Sequence, residues 1–255
     1  MILKIDHKQS ASKPVLPPLV APKDALTLEV YYIERGAGDA LIGESLWRQL
    51  DEVGAVKSQE VRSRLRSAGL RVGLAGTNPP QALRAAAVEQ RSASERGPGA
   101  MQKVSLLAGQ ETTIEAAIID QSFQLRTHGA AGERVTPYDE ARCILRISGE
   151  RQQDGWVRLH VHPELHHGAT TFRSSAQDGD WKLKQGQKID QLYEQRFDVE
   201  LNLGEMVVVG PLGEESDSIG ARFFRTGEPP AASERVLVIR VADVQQIEPV
   251  RSNDW

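Results

Sequence analysis

The residues best equipped for chemistry stand in one segment, HVHPELHH, which brings together His160, His162, Glu164, His166 and His167. In a β-strand, residues i and i+2 point to one face. His160 and His162 would then offer two imidazoles to one metal ion, and imidazole suits zinc and other transition metals. Glu164 extends that face where Pro163 leaves strand pairing intact. The alternation supports a second reading. Val157, Leu159 and Val161 form a buried face, and His160 and His162 lie opposite, on a wetter face beside Arg158.

Other chemistries find no pattern. The glycines of GAGD (36–39) and GLAGTNPP (73–80) fit neither the P-loop nor the dinucleotide fingerprint, so they read as turn residues. No Gly-x-Ser-x-Gly elbow occurs. The acidic pairs Asp51/Glu52, Asp178/Asp180 and Glu214/Glu215 read as solvated turn charges. Arg62, Arg64 and Arg66 read as the outer faces of a helix. Cys143 is the only cysteine, which forbids an internal disulfide; within ARCILRI it reads as a small buried hydrophobe. The expectation is a non-enzymatic chain with no catalytic residue and no cofactor.

A net charge of −4 leaves no basic stripe for nucleic acid. No apolar run approaches the about 20 residues of a membrane-spanning helix. The first residues also lack the apolar stretch of a signal peptide, which runs to about 7–15 residues. The chain is expected in the cytoplasm if this N-terminus is complete. If a signal peptide is missing from this start, the expectation becomes periplasm or outer membrane.

The elements that must position these residues follow from periodicity. Residues 1–25, with Pro14, Pro17, Pro18 and Pro22, read as an extended leader. LTLEVYYIERG (26–36) alternates as a strand. Leu41, Ile42, Leu46, Trp47 and Leu50 make a helical stripe that Gly54 ends. A second helix takes Ser58 as N-cap, buries Val61, Leu65 and Ala68, and stops at Gly69. LRVGLAG is a short strand, and Pro79 and Pro80 open a third helix. Together 26–91 read as a small α/β unit, followed by a linker at 92–100. From 101 to 248 the chain is β-rich, with strands around glycine turns in a mixed or antiparallel assembly, and 249–255 form a tail. The fold class is α+β. KVSLLAGQETTIEA (103–116) and DVELNLGEMVVVG (198–210) echo each other, each reading as a hairpin or bulged turn whose glycine supplies a positive φ.

The order of motifs from 101 to 247 resembles the C-terminal β domain of bacterial secretins, the ring-forming outer-membrane proteins of secretion and pilus systems. VSLLAGQETTIEA is similar to the family's early glycine-turn segment, and GWVRLHVHPEL to its strand leading into Pro-Glu. LGEMVVVGPL resembles the signature hairpin through Gly204, Glu205, Gly210 and Leu212, with Pro211 in place of a second glycine. DSIGARFF matches a later segment through Ile219, Gly220 and Phe223, and ERVLVIRVADV resembles the closing strand. Between Leu212 and Ile219 the family's proline-rich loop is replaced by GEESDS. The N-terminal half resembles uncharacterised bacterial proteins through Leu46, Trp47, Leu50, Asp51 and Glu52.

The resemblance implies a structural or assembly protein, belonging to an envelope or secretion-related complex, with protein partners or copies of itself. Such a β domain would meet neighbours by strand addition. A self-contained sandwich would instead blunt its edges with Lys182, Lys184 and Lys188. Two other functions stay open: a soluble protein- or peptide-binding module tethered by the leader, and a metal-binding module or metalloenzyme using His160 and His162.

Overall fold

The computed structural model describes residues 23–92, 101–129, 132–177, 180–227 and 232–247. The expected tail, all of the leader but Lys23–Ala25, and all of the linker but Ser92 lie outside the described residues. In chain order the first elements are β1 (Lys23–Gly36), α1 (Glu44–Trp47), α2 (Glu52–Ala55), α3 (Gln59–Ser67), β2 (Leu70–Ala75) and α4 (Gln81–Ser92). Then come β3 (Gln102–Leu107), β4 (Glu111–Ile119), β5 (Phe123–Gly129), β6 (Gly132–Tyr138), β7 (Ala141–Arg151), β8 (Val157–Gln177) and β9 (Asp180–Gln191). The chain closes through β10 (Phe197–Leu201), β11 (Met206–Pro211), α5 (Ile219–Phe224), β12 (Arg225–Thr226) and β13 (Ser233–Ile247).

The strands form two main antiparallel sheets. One runs β2-β11-β13-β1-β3, with β12 beside β13; the other runs β10-β8-β7-β4, with β9 beside β8. β5 and β6 make a separate ribbon. The two sheets pack face to face. Leu28, Val207 and Ile239 from the first meet Leu145, Leu159 and Val199 from the second in one buried cluster. The first sheet's other face carries Tyr31, Val208, Val236 and Val238 against Ile42, Leu46, Trp47 and Leu83. Helices, sheet and sheet thus make three layers, and the first sheet is covered on both faces. That is why MVVVGP in β11 is apolar without alternation and buried at every residue. Each Val or Leu so buried contributes about 1.5–3 kcal/mol of transfer free energy.

A β-rich fold with antiparallel sheets matches the sequence reading, but a small N-terminal α/β unit is not confirmed. β1 and β2 do not pair with each other. β1 pairs with β13 over its whole length and β2 with β11, so both belong to a sheet shared with the C-terminal half. The helical stripe over 41–54 is also broken. The side chain of Asp51 accepts hydrogen bonds from the backbone N–H of Val53 and Gly54, and its own backbone pairs with Leu74. This local competition ends α1 and starts α2, with Gly54 inside the second piece rather than after it. The second helix conforms: Ser58 caps α3 by accepting from the N–H of Val61.

Gly109 and Gly204 take φ of +80° and +85°, as the turn reading expects. Neither turn is a hairpin. β3 and β11 belong to the first sheet and β4 and β10 to the second, so each glycine carries the chain across the sandwich from one sheet to the other. The flanking strands pair with other partners because each must present its apolar face to the core between the sheets.

Candidate functional site

β8 carries the histidines on the outer face of the second sheet. Val157, Leu159 and Val161 are fully buried in the core, while Arg158, His160 and His162 are half-buried on the opposite side. Pro163 does not interrupt the strand. It pairs with Leu145 on β7, and its missing N–H falls opposite the turn at Tyr193–Gln195, where β8 changes partner from β9 to β10. Across that turn its carbonyl accepts from the N–H of Leu192 at 3.0 Å.

His160 and His166 are spent on cross-strand and same-face acids. His160 Nδ1 is 2.8 Å from Asp198 Oδ1 on β10. His166 Nε2 is 2.9 Å from Glu164 Oε2. Glu164, 1% exposed, is neutralised by Arg146, whose Nη2 lies 2.8 Å from Oε1; the same guanidinium reaches Glu111 Oε2 at 3.1 Å. His162 stands in register with Arg146, so the residue beside it is a cation. His167 points the other way, its ring edge-on to Tyr138 with centroids 4.7 Å apart. Asp190 accepts from Tyr138 Oη at 3.1 Å. Burial pushes the Asp190 carboxyl up, but Tyr138, His167 and Lys188 outweigh it and hold it below the usual carboxylate range. Among the described residues, no three His, Cys, Asp or Glu side chains are grouped so as to hold a metal ion. Cys143 is fully buried, and burial pushes its thiol up to about 12, out of the range of a nucleophile.

An open cavity of about 890 Å³ lies elsewhere, between the β5–β6 ribbon and the loop that leads into α5. Arg126 pins that loop: Nε and Nη2 donate to Asp217 Oδ2 at 3.0 and 2.8 Å, and its backbone N–H donates to the Asp217 carbonyl at 2.8 Å. Arg222 enters the same cavity from α5. Its guanidinium sits 5.0 Å over the Phe123 ring, and Phe123 stacks in turn on Tyr138 at 5.7 Å. Arg222 has no carboxylate partner among the described residues, and its Nε is buried with no acceptor. Burial pulls its pKa below the usual arginine value. Reading the sequence alone missed this residue. The signal was an arginine inside the otherwise apolar IGARFF, where a solvated face has no room for one.

β8 and β9 extend together as a ribbon. β7 stops pairing with β8 at Ala141–His167, yet β8 and β9 continue together from Thr171–Gly186 to Gln177–Asp180. Among the described residues no third strand pairs with that stretch. Its backbone register runs from Phe172–Gln185 through Ser174–Leu183 to Ala176–Trp181.

The residues of the glycine motif serve packing between the two halves of the chain. Glu205 Oε2 accepts from the N–H of Asn202 at 2.8 Å, closing the turn at Gly204. A Cβ at Gly210 would lie 2.9 Å from Trp47 Cζ2, so the indole rests on the bare backbone of β11. The Leu212 N–H donates to the Gly69 carbonyl at 2.7 Å, and the Gly220 N–H to the Ala68 carbonyl at 3.0 Å. Phe223 is fully buried in the sandwich core. No protein-family model, curated protein or solved structure matches the chain.

Proposed function

We propose that this chain is a non-enzymatic assembly protein, secretin-like in its C-terminal half, that joins copies of itself through the β8–β9 ribbon in an envelope or secretion-related complex. The supporting observation is that, among the described residues, no third strand pairs with the ribbon over Thr171–Gln177 and Asp180–Gly186. A lone two-stranded ribbon is marginally stable in water, and both of its edges present unpaired N–H and C=O groups. Strand addition from a neighbour satisfies those groups. The sandwich itself needs no partner, since its core is closed by its own sheets and helices.

The test is light scattering coupled to size exclusion, over a concentration series. The expected result is a defined oligomer. A second protein in which an Asn-Gly turn joins Thr170 to Gln187 should elute as a monomer with the sandwich still folded. A strictly monomeric full chain at the highest attainable concentration refutes the reading, as does an oligomer that the shortened ribbon leaves intact.

A further inference from the structure

The cavity at α5 holds a cation, Arg222, that feels the charge of Asp217 but makes no ion pair with it within 4 Å. Arg222 is half-buried, its side chain makes no hydrogen bond or ion pair among the described residues, and its Nε is shut off from solvent without an acceptor. A desolvated guanidinium without a partner is costly, because buried donors normally find acceptors. It is also ready-made. The Phe123 ring beneath it fixes the guanidinium plane, which spares the ordering entropy that a flexible arginine would lose on binding. The neighbouring cation is committed: Arg126 already serves Asp217 and, through Nη1 at 3.2 Å, Glu133.

The lining discriminates among anions. Glu214 and Glu215 are exposed at this cavity and make no ion pair within 4 Å among the described residues. Two carboxylates oppose a dianion such as phosphate more than a single negative charge. Pro137, exposed in the lining, supplies apolar surface for the body of the ligand beside the largely buried Phe123. We infer that this cavity is a binding site for a monoanionic carboxylate carried on an apolar or aromatic body, with Arg222 as its anchor. A free organic acid and the C-terminal residue of a peptide share that chemistry.

Titration calorimetry of the full chain tests this with N-acetyl-phenylalanine and with a tetrapeptide ending in phenylalanine, each as free acid and as amide. The acid is expected to bind at least about tenfold more tightly than its amide, since the charge-assisted bond is lost in the amide. Binding confined to the tetrapeptide acid identifies a chain terminus as the ligand; equal binding by both acids identifies the small carboxylate. Arg222→Gln should lose the acid-over-amide preference, and Arg222→Lys should keep part of it. Inorganic phosphate should bind more weakly than either acid. The inference is overturned by equal binding of acid and amide, by no binding of any acid, by phosphate binding as tightly as the acids, or by an Arg222→Gln protein that behaves as wild type. The acid-against-amide comparison uses unaltered protein, so a folding defect in a variant leaves the test standing.

Discussion

Replacing Gly220 by alanine probes the junction that ties the two halves of the chain together. A Cβ built at Gly220 meets the Gly69 carbonyl oxygen at 1.6 Å and its carbon at 2.4 Å. Both are backbone atoms, so no rotamer change relieves the clash. Real Cβ contacts essentially never fall under 3.0 Å, so α5 must retreat from the end of α3 by about 1.4 Å. That movement breaks the Gly220–Ala68 and Leu212–Gly69 hydrogen bonds, now 3.0 and 2.7 Å long. Each broken bond that leaves a buried group unsatisfied costs about 1–3 kcal/mol, so the two together cost roughly 2–6 kcal/mol. Domains are stable by about 5–15 kcal/mol, so this is a large share. At about 2–4 °C per kcal/mol for a chain of this size class, the thermal midpoint should fall by roughly 4 °C or more. Circular dichroism melting reads the shift. Gly76→Ala is the control: nothing lies within 4 Å of its Cβ position, and its stability should change by no more than about 0.5 kcal/mol. A Gly220→Ala midpoint within about 2 °C of wild type would refute the close-approach argument.

Further outcomes follow from the same contacts. Trp47→Ala removes an indole that is 3% exposed, packed on Gly210 and lying 4.9 Å beneath the Arg71 guanidinium; urea unfolding should show a loss of about 3–5 kcal/mol in one transition, and a loss under about 1 kcal/mol would contradict the packing. Glu52 sits at 2.9 Å from Arg66 and 2.8 Å from Arg71; burial pushes its carboxyl up, but the two arginines win and hold it below the usual value. Because the folded pKa is depressed, its stabilisation is present above the unfolded value and is lost as pH falls through the folded one, so Glu52→Gln should flatten the acid limb of a stability–pH curve. An unchanged acid limb would show that the carboxylate is not coupled to folding. Cys143 should resist a thiol reagent in the native protein and react only as the chain unfolds; rapid native labelling would show that the core opens locally at β7.

The chain's own pattern determined its elements where the physics is local. Alternation placed β1, β7 and β8, and Ser58 marked the start of α3 through a hydrogen bond three residues away. Positive φ at Gly109 and Gly204 was readable because glycine alone takes it without strain. The inward face of Val157, Leu159 and Val161 was readable for the same kind of reason, since period two needs only the next residues. Pairing was not readable. Strands β10 and β11 meet at a four-residue connection yet belong to different sheets, and β1 finds β13 about two hundred positions away, because partners are chosen by which faces bury together. The fate of the charged residues was decided in the same way. Arg146 silences Glu164 from the neighbouring strand, while Arg222, inside an apolar helix, is left over a phenyl ring with no ion pair among the described residues. Whether a charge is satisfied depends on what distant segments bring beside it, and only the folded chain sets those distances.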